Sequence, residues 1–153
     1  MAVLKFASTK KAMVDFLQAS AALVTLAGHT SGDPRIIGAS TEDRLPDKGV
    51  FIFSRPARPV VPIYCDDGPW NTSFHLYIRH TEEAKVYEML GVIQEYVAQS
   101  LVTGADASYD GHASVRLESI RWSADLSNAP EVQQDEHGFW WTDAFLVTRW
   151  REN

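Results

Sequence analysis

The stretch NTSFHLYIRHTEEAKVYEMLGVIQEYVAQSLV, residues 71–102, decides the fold. Its first third alternates. Phe74, Leu76 and Ile78 take one parity, and His75, Tyr77 and Arg79 the other, the period of two expected of a half-buried strand. The period changes at His80-Thr81-Glu82-Glu83. Thr81 is placed to cap a helix, with Glu82 and Glu83 in the first turn, where negative charge complements the helix dipole. Val86, Met89, Leu90, Ile93, Val97 and Leu101 then recur at three- and four-residue steps as one apolar stripe. Gly104 stands where a helix-ending glycine is expected. One strand therefore feeds directly into one long amphipathic helix.

The other elements gather round this unit. Residues 10–27 read as a first helix, with Ser8 and Thr9 as caps, Met13, Phe16, Leu17, Leu23, Val24 and Leu26 on its apolar side, and Gly28 as its stop. Residues 29–49 form a polar connection in which Ile36 and Ile37 make a short extended piece. Val50–Phe53 is a short strand, apolar on both faces. Pro56, Pro59, Pro62 and Pro69 keep residues 55–69 out of any central strand, so the segment reads as an edge or an excursion at the rim, with room for brief pairing by Val60, Val61, Ile63 and Tyr64. Beyond the long helix, residues 105–113 read as a polar turn. Val115–Glu118 alternates as a strand, and the apolar parity shifts at Ile120 and Trp122, as a β-bulge near Ser119 would require. An acidic loop, 123–138, precedes a long aromatic strand from Phe139 to Trp150. The expected fold is one α+β domain over residues 1–153, an antiparallel or mixed β-sheet with two helices packed on one face. The last strand carries Phe139, Trp141, Phe145 and Val147 on one parity and Trp140, Ala144, Leu146 and Trp150 on the other. Its second apolar face needs a cover, either a neighbouring subunit or a loop folding back.

A length of 153 residues suits one domain with a sizeable core, and 45% hydrophobic with 22% charged residues is ordinary for a globular fold. No apolar run approaches the ~20 residues of a membrane span, and the first residues lack the apolar segment of a secretory signal. Cys65 is the single cysteine, which excludes an intrachain disulfide and a multi-cysteine metal site. A net charge of −6 argues against affinity for nucleic-acid phosphates. Among the five histidines, His75 and His80 lie five residues apart, so on a strand they face opposite ways and share no metal. His112 and His137 sit beside carboxylates in turns that lack the spaced oxygen ligands of a calcium loop. Cys65 has no Cys/His signature around it, and no Gly-x-Ser-x-Gly elbow or phosphate-cradling glycine motif occurs. The residues carry no catalytic signature and imply no cofactor. The tryptophans Trp140, Trp141 and Trp150 leave open a carbohydrate or small-ligand platform, with core packing as the commoner fate of such side chains.

The order of these pieces resembles the phage tail terminator family, the tail-completion or tail-to-head joining proteins, across nearly the whole chain. The resemblance starts with a first helix ending in Ala21-Ala22-Leu23-Val24-Thr25-Leu26-Ala27-Gly28, then a loop with Arg35-Ile36-Ile37-Gly38 and Leu45-Pro46. The strand and acid-capped helix follow, then Val115 to Trp122, an acidic loop, and Ala144-Phe145-Leu146-Val147-Thr148-Arg149-Trp150. The proline-rich segment 55–69 and the loop 123–138 are fuller than the family pattern. The resemblance implies a non-enzymatic virion protein, made in the host cytoplasm and sited at the tail end next to the neck. It would be a homo-oligomer, a hexameric ring that caps the tail tube, stops polymerisation and presents a joint to the head connector. DNA would pass through without sequence-specific binding. Such a ring uses heterologous contacts, for which Val60, Ile63, Tyr64, Trp140, Trp141 and Trp150 are the expected subunit-interface residues. Asp43, Arg44, Asp47 and Lys48 are the expected contacts to tube or connector. A head-completion or neck connector protein is the alternative within the same class.

Overall fold

The computed structural model describes residues 2–40, 44–54, 58–59, 69–99, 106–108, 114–123 and 131–152. Asp43, Val60, Ile63, Tyr64, Cys65, Leu101, Gly104 and His112 lie outside the described residues. In chain order the elements are α1 (Ala2–Gln18), α2 (Ala21–Ala27), β1 (Ile36–Gly38), β2 (Gly49–Ser54), β3 (Arg58–Pro59), β4 (Trp70–His80), α3 (Glu83–Gln99), β5 (Asp106–Ser108), β6 (Ser114–Trp122), β7 (Gln133–Gln134) and β8 (Trp140–Glu152). The fold is α+β. One mixed sheet runs β1-β2-β4-β8-β6-β5, with β3 added to β4 and β7 to β8. Only β1 on β2 is parallel among these pairings.

The long strand β4 is central, with β2 on one side and β8 on the other, and Phe74 faces Leu146 across the β4–β8 pair. Phe74, Leu76 and Ile78 point inward with Val50, Ile52, Ala144, Leu146, Val115, Leu117 and Ile120, all fully buried. The helices cover this face. Val86, Met89, Ile93 and Val97 of α3 and Met13 and Leu17 of α1 complete the same core. The Tyr96 ring stacks on Phe16 at 4.6 Å, and its hydroxyl donates to the Phe16 carbonyl at 3.1 Å, tying α3 to α1.

Four expectations change. The first helix is two helices. Ser20 adopts an extended backbone and its hydroxyl accepts from the Leu23 N–H at 3.4 Å, so it starts α2 in place of continuing α1. Among the described residues three helices therefore pack where two are expected. Ser8 and Thr9 lie buried inside α1, which begins at Ala2, and so do not start it. Thr81 is not the acceptor for α3 either: the Glu82 N–H donates to Nδ1 of His80 at 3.0 Å, and the helix begins at Glu83. Within the expected turn 105–113, Asp106–Ser108 pairs antiparallel with β6. A three-residue polar edge strand is held by backbone bonds and leaves no apolar alternation to read. The bulge lies where expected, with the β6–β8 register shifting between Leu117 and Ser119.

Candidate functional site

The helices occupy one face of the sheet, and the other face carries its own chemistry. Directly opposed residues on paired strands share a face, so Phe51 lies with Tyr77, Phe53 with His75, His75 with Phe145, and Arg79 with Trp141. These side chains form two aromatic rows. In one, Phe51 and Tyr77 are 6.4 Å apart and Tyr77 and Trp141 5.3 Å. In the other, Phe53 lies 5.7 Å from His75, which stacks at 4.8 Å and 11° on Phe145. His75 Nε2 meets an Asp143 carboxylate oxygen at 2.5 Å, fixing the ring edge between its aromatic neighbours. Phe51 is fully buried yet separate from the main core. Burial pushes the Tyr77 hydroxyl above its ordinary pKa.

Further along the same face the chemistry turns basic. Arg116 pairs with Arg151, Ser119 with Arg149, and Arg121 with Val147, which brings four arginines onto one end of the face. Glu118, at the bulge, accepts from Arg149 Nε at 3.0 Å and also from Arg151 Nε. A bulge re-aims a side chain, and here it sets one carboxylate between two guanidinium groups. This cluster stands out in a chain of net charge −6.

At the opposite end two loops fold over the face. Arg79 latches them. Its guanidinium donates to the Pro46 carbonyl at 3.2 Å and to Asp135 at 3.0 Å, and lies over the Phe139 ring at 4.3 Å. Asp135 in turn accepts from the backbone N–H groups of His137 and Phe139. Burial alone would raise its pKa, but those two N–H groups and Arg79 carry it below the ordinary carboxylate value. Arg44, Leu45, Pro46, Asp47, Arg79, His137 and Phe139 line a hollow of about 620 Å³ between the loops. The segment before β2, which holds the expected contacts Arg44 and Asp47, thus meets the segment before β8 in space.

The expected contact residues fall in different places in the fold. Trp150 is not at a surface: it is fully buried, and its indole N–H donates to Thr72 Oγ1 at 2.9 Å. Trp140 shares that inward parity, opposite His80, and packs against the core. Only Trp141 lies on the outer face, so the three tryptophans form no common platform. Val60, Ile63, Tyr64 and Asp43 lie outside the described residues. Arg44 is exposed. Asp47 is held by Arg35 at 2.5 Å, and the Lys48 ammonium lies at Gly28, the left-handed end of α2, where positive charge suits the helix C-terminus. His75 and His80 point to opposite faces, as their spacing requires, and no group of three or more His, Cys, Asp or Glu side chains suited to a metal occurs among the described residues. The missed residues are Phe51, Phe53, His75, Tyr77, Arg79, Phe145 and the arginine group. Their signal was the outward parity of β4, where His75, Tyr77 and Arg79 replace the small polar residues of a solvated face.

The fold is similar over its full length to a chain of a structure described as the virion of a native gene transfer agent particle. The TM-score is 0.57 at 16% sequence identity, covering 97% of this chain and 97% of that one. At this identity the likeness is one of fold. No family model matches the sequence, and no curated protein matches it.

Proposed function

We propose that this chain is a structural protein of a phage-like virion, a tail terminator that closes the tail tube as a hexameric ring and offers a joint to the head. The observation that carries the reading is the end-to-end likeness of fold to a chain of a gene transfer agent virion. The site chemistry agrees with it: a half-buried aromatic sheet face beside an arginine cluster suits association, since a second apolar face with aromatics and Arg at its edge has the composition of an interface. On this reading the protein makes and breaks no covalent bonds. It acts by burying surface against copies of itself, the tail tube protein and the head connector, while DNA passes through the ring without being read. Arg44 and the latched loops at the hollow are the proposed contact to tube or connector. Trp141 remains a proposed subunit contact; Trp150 does not.

Electron microscopy of particles made without this gene tests the proposal. Overlong or uncapped, headless tails are expected. Tails of normal length that lack only heads would replace the reading with that of a neck connector, which the same fold likeness also suits. Complete particles would remove the assembly role altogether.

A further inference from the structure

Gly91 sits in the middle of α3, on its solvent side, where a Cβ would meet nothing within 4 Å. Glycine inside a helix is unfavourable relative to alanine because it freezes more backbone freedom. No intramolecular contact among the described residues calls for the missing side chain. The surrounding surface is equally unusual. Ala84, Gly91 and Ala98 recur every seven residues along the exposed side, next to Tyr87, which at 50% exposure is the one large exposed hydrophobic among the described residues. The same side carries Glu83, Glu88 and Glu95 against a single Lys85. It is flat, acidic and marked by one aromatic.

The outer sheet face is its complement. It bears the Trp141–Tyr77 and Phe145–His75 rows and, beyond them, Arg116, Arg121, Arg149 and Arg151. The spacing also agrees. Tyr87 to Glu95 is eight helical residues, ~12 Å of rise, and Phe145 to Arg149 is four strand residues, ~13 Å. A helix with Tyr87 over the aromatic rows therefore carries Glu95 to the arginines. The two surfaces lie on opposite sides of one slab, since α3 covers the inner face of the sheet. A single copy cannot bring them together; successive copies can.

We infer that α3 of one copy docks across the outer sheet face of the next, covering the aromatic rows and pairing Glu95 with the Arg149–Arg151 end. The contact rests on the ring reading and gives it a geometry. Each sheet ends up between its own helices and a neighbour's, and the interface is heterologous, as ring closure requires.

The test places benzoylphenylalanine at Tyr87 of the full chain and irradiates both concentrated protein and assembled particles. Interchain crosslinks to residues 73–77 or 141–151 are expected. Crosslinks from Tyr87 to α3 of another copy, or only to a different protein, would overturn the helix-on-sheet contact; capped tails of normal length would show that the ring reading survives. Absence of any self-crosslink in particles that also show no ring would sink both. A second variant guards against a misleading probe. Gly91→Arg adds bulk to an open position and removes the helix penalty of glycine, so thermal unfolding should hold or rise while self-association weakens about tenfold or more. Unaltered association would overturn the inference. Glu95→Lys and Arg149→Glu should each weaken association, and both changes in one chain should restore it.

Discussion

His80 and Gly49 show how much of the fold rests on single atoms. His80 points into the core at 7% exposure, and its Nδ1 accepts the Glu82 N–H just before α3. Burial, reinforced by Lys48, holds its pKa below the ordinary 6.5 despite the opposing pull of Glu82 and Asp47. Between the folded and ordinary values the unfolded chain therefore binds more protons than the folded one. The stability due to His80 is fully present above about pH 6.5 and drains away as pH falls below it. Asp47 and Asp135 behave alike but at lower pH: both are held below their ordinary 3.8, so their contribution is lost only below that value. A profile of melting temperature against pH should thus fall in two steps, and His80→Gln should abolish the upper one. Persistence of that step in the variant would assign it elsewhere. Gly49 has φ +146, and a Cβ there would lie 2.2 Å from the Arg35 carbonyl oxygen, at the point where β1 and β2 run parallel. Gly49→Ala should cost ~2 kcal/mol or more in urea unfolding, because backbone must move. The five-residue spacing of His75 and His80 made their opposite faces legible. That His80 would hold the turn before α3 was not, since it depends on the helix starting at Glu83 and not one residue earlier.

Among the elements, legibility followed the strength of the apolar period. The stripe Val86, Met89, Ile93 and Val97 is the buried side of α3, and the alternation of β4 matches its burial residue by residue. The parity shift that announced the bulge in β6 is equally direct, since a two-for-one pairing moves every later side chain to the other face. The break between α1 and α2 escaped because alanines continue across it, at 19, 21 and 22, and only Ser20 marks the change. Ser20→Ala should therefore cost ~1 kcal/mol in denaturant unfolding, and a neutral result would mean that packing of Leu23 and Ala27 alone starts α2. Helix α3 offers the reverse case. Its Gly91 carries an intrinsic penalty that no contact among the described residues explains. Gly91→Ala should raise the stability of the isolated subunit by ~0.5–1 kcal/mol. Loss of stability would instead show a local backbone requirement at that position.

For the whole molecule, the apolar double parity of β8 signalled a second apolar face of the sheet, but its pattern needed the sheet order. The aromatic rows join β2, β4 and β8, and the arginines join β6 and β8, through pairings between residues far apart in sequence. The same long-range order put Trp150 in the core and Trp141 outside. On the proposed contact between copies, this division of the face into aromatic rows and a cationic end predicts how association and dissociation respond. Charges such as Arg149 and Arg151, 46% and 49% exposed, sit where salt screens them. Exposed charges steer encounter and govern the association rate, whereas a desolvated aromatic contact governs the lifetime of the complex. Raising salt from about 0.05 M to 0.5 M should therefore slow self-association about tenfold while leaving dissociation within about twofold. Phe145→Ser should do the opposite, hastening dissociation at every salt concentration with little effect on association, because it opens the row that stacks on His75. Stopped-flow mixing and dilution of the full chain separate the two rates. If dissociation carries the salt dependence, the arginines are buried at the centre of the contact, and the aromatic rows face the tube, the connector or solvent in place of the neighbouring copy.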